Sequence, residues 1–256
     1  MRRGGAGPFP PLQLNVDATV KFYMDYKLLS DYPRDAVDRL LNVIHLFRDI
    51  RATSEWQYDV LLKRSRLVSL NPGEALLHAG DVDQWVYFLL RGELHVHVDD
   101  AAASQDDRPL AVIRPGEVFG DLAMLLAEPR SATIVAAPVG QEIQVLAVDC
   151  TLFGDLEDFS LLHLPTKLVF YRNMVHSLRW KLEVYRSKYP NHELANSHRR
   201  LKLYTGPKNC KEELMALADQ ARDLARILLD WNAEFGAGQL ATEESDMSDF
   251  LESILS

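Results

Sequence analysis

The chain has 256 residues, 47% of them hydrophobic and 25% charged, and a formal net charge of −9 at pH 7. That length and apolar content suit one large domain, or one domain with helical additions. The acidic balance supplies no long-range attraction toward DNA or an anionic membrane, and no apolar run reaches the length of a membrane span.

The opening residues, MRRGGAGPFPPL, combine positive charge with Gly and Pro but lack an apolar core. Residues 1–15 therefore read as a flexible arm rather than a signal peptide. Cys150 and Cys210 lie far apart and form no ligand spacing, which indicates a reducing compartment and a cytoplasmic protein.

Residues 16–64 read as helical. Val37, Leu40, Leu41, Ile44 and Phe47 recur at three- and four-residue intervals, and Pro33 marks a break and a fresh helix start. A further helix is predicted from about Glu55 to Lys63. From about Leu67 the period shortens. Runs rich in Val, Leu and aromatics alternate with Asn71-Pro72-Gly73, Gly80-Asp81 and Arg91-Gly92, the pattern of a small antiparallel barrel or roll.

Helical patterning returns at 165–189, with Leu168, Tyr171, Val175, Leu178, Leu182 and Tyr185 on one stripe and Pro190-Asn191 as its stop. The basic stretch SHRRLKLYTGPKN reads as a loop and precedes a helix predicted from Lys211 to Phe235. The organisation expected is a domain at 65–189 with N-terminal helices at 16–64, a helical extension at 190–238 and an acidic, unstructured tail at 239–256.

The stretch GEVFGDLAMLLAEPRSATIVA, residues 116–136, places a carboxylate, an open backbone turn and an arginine close together. A small phosphorylated ligand would account for all three. The turn Phe119-Gly120-Asp121-Leu122-Ala123 is expected to open a short helix whose unsatisfied N–H groups can face a phosphate. Gly120 permits close backbone approach. Arg130 offers a planar fork for phosphate oxygens. Ser131 adds a hydroxyl and an amide, Ala132 is small enough for tight packing, and Thr133 starts the next strand.

NPGEALLHAGD, VYFLLRGELHVHV and RPGEVFGDLAMLLAEPRSATIV, in that order, resemble the cyclic-nucleotide-binding domain of bacterial catabolite-activator regulators, protein kinase A regulatory subunits and cyclic-nucleotide-gated channels. The likeness spans roughly residues 55–185. It implies an α+β fold, an antiparallel β-roll flanked by N-terminal and C-terminal helices, with the helix at 165–189 as a lid over the base. It also implies a Glu at the position of Asp121, accepting a ribose 2′-hydroxyl; the shorter Asp implies weaker binding. Ser131 directly after the arginine resembles the catabolite activators and so implies cAMP, with cGMP possible.

Plainer alternatives accompany these readings. Arg130 could pair with Asp121 in a structural salt bridge. His95 and His97 share a strand face, but no third ligand stands nearby, so a solvated face is expected rather than a metal site. Arg172, Asn173, His176, Ser177 and Arg179 are lid positions from which a base could be reached. The helix at 211–235 suits core packing or an oligomer seam, and the tail's Met247, Phe250, Leu251, Ile254 and Leu255 suit a docking helix. No nucleophile elbow, P-loop or metal-ligand set is visible. The function expected is a non-catalytic cyclic-nucleotide sensor, coupled to a protein partner or to a second copy of itself. A scaffold without ligand and a transcription regulator are the alternatives, the latter weakened by an acidic tail and the lack of a helix-turn-helix.

Overall fold

The structure, a computed structural model, describes residues 26–97, 109, 111–139 and 142–235. The arm at 1–15, the expected helix at 16–25 and the tail at 239–256 lie outside the described residues. Among the described residues, nine strands form two antiparallel sheets. One contains β1 (Tyr26–Leu28), β2 (Ser65–Leu70), β9 (Ile143–Asp149), β4 (Trp85–Arg91) and β7 (Val118–Phe119), in that order. The other contains β3 (Ala75–Leu77), β8 (Thr133–Ala136), β5 (Leu94–His97) and β6 (Ala111–Ile113). This is the β-roll with helical flanks.

The two central strands are apolar nearly throughout because both faces of their sheet are covered. Successive side chains of a strand point to opposite faces. On β9, Ile143, Val145 and Ala147 enter the interior of the roll, while Leu146 and Val148 face the helices. On β4, Tyr87 and Leu89 point inward, and Val86 and Phe88 point out against the helical layer. Phe88 meets Phe47 edge-on at 6.3 Å.

That helical layer holds α1 (Arg34–Leu41), α2 (His45–Thr53), α3 (Glu55–Leu62) and the long α6 (Leu164–Lys188) and α7 (Lys211–Phe235). Two short helices, α4 (Asp121–Leu126) and α5 (Thr151–Gly154), lie within and just after the roll. Ser54 caps α3 by accepting from the Gln57 amide at 3.4 Å, and Pro165 stands in the first turn of α6, where its missing N–H costs no helical bond. All six apolar stripe positions predicted on α6 are buried. On α7, Leu214, Ala221, Leu224, Leu228 and Trp231 are buried, which makes that helix part of the core.

Three expectations are corrected. Residues 26–28, within the stretch read as helical, form β1, paired with Arg66–Val68 of β2. Three residues before a one-turn 3-10 helix (Leu29–Asp31) are too few to show a period of two. The basic stretch read as a loop is helical at its start: Ser197–Arg200 end a 3-10 helix, Glu193–Arg200, entered where His192 Nδ1 accepts the Leu194 amide at 3.3 Å. His97 is buried, so the solvated strand face expected for it and His95 holds only at His95, which is half-buried and pairs with Glu93 at 3.0 Å. Among the described residues no cluster of His, Cys, Asp or Glu could hold a metal ion, and no helix is long and apolar enough to cross a membrane.

Candidate functional site

β7 ends at Phe119, and the chain turns at Gly120, whose φ of +78° is left-handed. α4 begins at the next residue and is capped at its C-terminus by Ala127, again left-handed at φ 53°. Glycine is required at position 120 on two counts. The backbone lies where side chains are strained, and a Cβ would stand 2.7 Å from Arg130 Nη1 and 3.1 Å from the Tyr87 ring. The group crowding Gly120 is therefore the protein's own guanidinium. Tyr87 stacks on Phe119 at 5.3 Å, and burial, with Asp83 beside it, holds the Tyr87 hydroxyl far above the ordinary phenol range.

Arg130 is buried, 5% exposed, and points inward. Its backbone is stitched to the loop before β4: the Arg130 amide donates to Asp81 O and the Gly80 amide donates to Arg130 O, each at 2.8 Å. That seam brings Asp83 alongside. The guanidinium chelates Asp83 through Nε, at 3.2 Å from Oδ2, and through Nη2 to Oδ1. It also donates to Gly120 O at 2.6 Å and Trp85 O at 2.7 Å. One N–H of the guanidinium is left over. Neither reading of Arg130 from sequence named Asp83, which supplies the counter-charge a buried arginine needs.

Asp121, 2% exposed, accepts from Lys181 Nζ of α6 at 2.7 Å. The same ammonium donates to Val118 O at 3.1 Å. Asp121 thus does not pair with Arg130; each of the two buried charges has its own partner. Thr133 begins β8 as expected, and its hydroxyl accepts the Ala79 amide at 3.0 Å.

A cavity of about 250 Å³ opens between this turn and the long helices. Phe119, Gly120, Asp121, Leu122 and Ala123 line it on one side, with Arg130, Ser131 and Ala132 beside them. Thr133 is buried next to this group but not on the wall. Ser177, Trp180, Lys181 and Val184 of α6 form another wall, to which α7 adds Leu228 and Asn232.

Of the five lid positions singled out from sequence, Ser177 alone lines the cavity. Arg172 chelates Glu213 of α7 at 2.7 and 2.8 Å, and Asn173 reaches Asp49 at 3.3 Å. His176 and Arg179 are exposed and lie off the wall. The residues missed from α6 carried a signal: 177, 180, 181 and 184 fall on one helical stripe beside the apolar one. Nothing in the sequence marked Leu228 or Asn232.

With this geometry in place, comparison with known proteins gives a match of residues 67–153 to the family model described as the cyclic nucleotide-binding domain. Residues 67–153 belong to that family. The chain is 31% identical over 86 residues to a cGMP-dependent protein kinase of Plasmodium berghei, covering 34% of this chain and 9% of that protein. It is 31% identical over 83 residues to the cGMP-dependent protein kinase of Toxoplasma gondii, covering 32% of this chain and 8% of that one. The chain thus spans under a tenth of the length of these curated relatives. Among solved structures, the regulatory domain of Toxoplasma gondii PKA with cAMP aligns at 17% identity and a TM-score of 0.38, over 57% of this chain and 49% of that one. The sensor domain of the transcriptional regulator DNR from Pseudomonas aeruginosa aligns at 20% identity and 0.40, over 65% and 99%.

Proposed function

We propose that this chain is a non-catalytic, cytoplasmic sensor of a cyclic nucleotide, and that binding in the roll is passed to a partner protein, or to a second copy of the chain, through α6 and α7. The observation that carries the reading is one cavity on which a buried arginine, a buried carboxylate and two long helices converge, within a cyclic nucleotide-binding domain. Ser131, by resemblance, points to cAMP as the ligand.

The chemistry proceeds from the pairs already made. The ligand's cyclic phosphate takes the remaining N–H of Arg130 and the Ser131 hydroxyl. Its 2′-hydroxyl donates to Asp121, whose carboxylate has lone pairs beyond the one Lys181 occupies. Any strengthening or loss of the Asp121–Lys181 bond then acts directly on α6. For a signal to result, the nucleotide must favour one helix arrangement by a few kcal/mol.

A second reading, a scaffold without ligand, has a specific observation in its favour. Asp83 neutralises Arg130 and Lys181 neutralises Asp121, so both buried charges are satisfied without a guest. Calorimetric titration with cAMP and cGMP separates the two. The sensor reading expects saturable binding, weakened about ten- to a hundredfold in Arg130→Lys, which keeps the charge facing Asp83 but loses the fork. Absence of heat from either nucleotide at millimolar concentration selects the scaffold.

A further inference from the structure

The wall that α7 contributes lies well beyond residue 153, where the family match ends. Asn232 is its polar member. Its Oδ1 accepts a hydrogen bond from the Tyr185 hydroxyl at 2.6 Å, and among the described residues its side chain is held through that oxygen alone. Tyr185 is itself fixed, fully buried on α6 with its ring stacked on Trp231 at 5.2 Å and 13°. A primary amide carries one acceptor oxygen and two N–H donors. The bond to Tyr185 turns the oxygen toward that residue and fixes the amide's orientation, so its N–H₂ is the end left for whatever occupies the cavity.

We propose that Asn232 is a specificity residue that reads the purine edge through its N–H₂ donors and tilts selection toward guanine. The inference rests on the cavity being a cyclic-nucleotide site. Guanine presents two adjacent acceptors, N7 and O6, whereas adenine presents N7 beside an N6–H₂ donor. An amide free to use both ends suits adenine, accepting from N6 while donating to N7. With its oxygen turned to Tyr185, it faces the N6 donor with its own N–H₂. The effect opposes the cAMP preference implied at Ser131, which acts on the phosphate side of the ligand.

The test is calorimetric affinity for cGMP and cAMP in the wild type, Asn232→Ala and Tyr185→Phe, with thermal melts to confirm folding. Asn232→Ala is expected to weaken cGMP about tenfold and cAMP by less than roughly threefold, the scale of one lost hydrogen bond. Tyr185→Phe leaves the cavity wall in place but frees the amide to turn over, and is expected to raise cAMP affinity relative to cGMP. An unchanged cGMP-to-cAMP ratio in Asn232→Ala, while the wild type binds normally, overturns the role of Asn232 alone. Failure of the wild type to bind either nucleotide overturns the site itself and this inference with it.

Discussion

Lys181 of α6 holds the buried carboxylate of Asp121 at 2.7 Å, so the long helix is fastened to the turn that faces the cavity by one ion pair. The side chain of Asp121 is 2% exposed and that of Lys181 24%. Removing the lysine strands a buried charge. Lys181→Met should therefore destabilise the fold by about 2 kcal/mol, below the usual cost of breaking a fully buried pair because one partner reaches water. Denaturant unfolding measures it. A change within roughly 0.5 kcal/mol would show that Asp121 is stabilised by other groups.

Arg130 and Asp83 form the most enclosed charge pair of the roll, with side chains 3% and 5% exposed. Arg130→Met or Asp83→Leu alone leaves an unpaired buried charge, at about 3–5 kcal/mol each, whereas the two together remove both. A double-mutant cycle should return a coupling of at least about 2 kcal/mol, read by chemical denaturation. Additive losses would mean the two side chains act independently.

Gly120→Ala tests the turn. The left-handed backbone costs an alanine about 1–2 kcal/mol, and its methyl would press on Arg130. Loss of stability should be accompanied by loss of nucleotide affinity, because the shifted guanidinium is the group expected to meet the phosphate. Melting and titration of the same sample check both; intact affinity in a destabilised protein would separate the turn from the site.

Glu213 anchors the start of α7 to α6 through Arg172 and accepts the Asn209 amide at 2.5 Å. Burial pushes its pKa up, but the Arg172 guanidinium and the Asn209 amide outweigh that and hold it below the ordinary carboxylate value. A depressed folded-state pKa contributes stability that is complete above the unfolded value, about 4.3, and is lost as pH falls through the folded one. The difference in Tm between the wild type and Glu213→Gln should be full at neutral pH and should narrow as the pH falls below the unfolded value. A constant difference would assign the contact to packing.

The helices and the roll were legible because their signals are local. The stripe Leu168 to Tyr185, the start at Lys211 and the glycine-marked corners each follow from neighbours a few positions apart. The turn at 119–123 was legible for the same reason. Asp83 was not, since it stands 47 residues from Arg130 and is brought beside it by backbone bonds at Gly80 and Asp81. Lys181 read as one more polar helix residue, and Asn232 as part of a core helix. Their roles depend on how α6 and α7 settle over the cavity, which no local pattern encodes.

A crystal structure grown with the cyclic nucleotide that binds more tightly tests the central claim most directly. The account predicts electron density for the ligand between Arg130 and the α6–α7 wall, its phosphate at the guanidinium and its sugar at Asp121. Density elsewhere on the molecule, or an unchanged cavity in a crystal saturated with nucleotide, would contradict it.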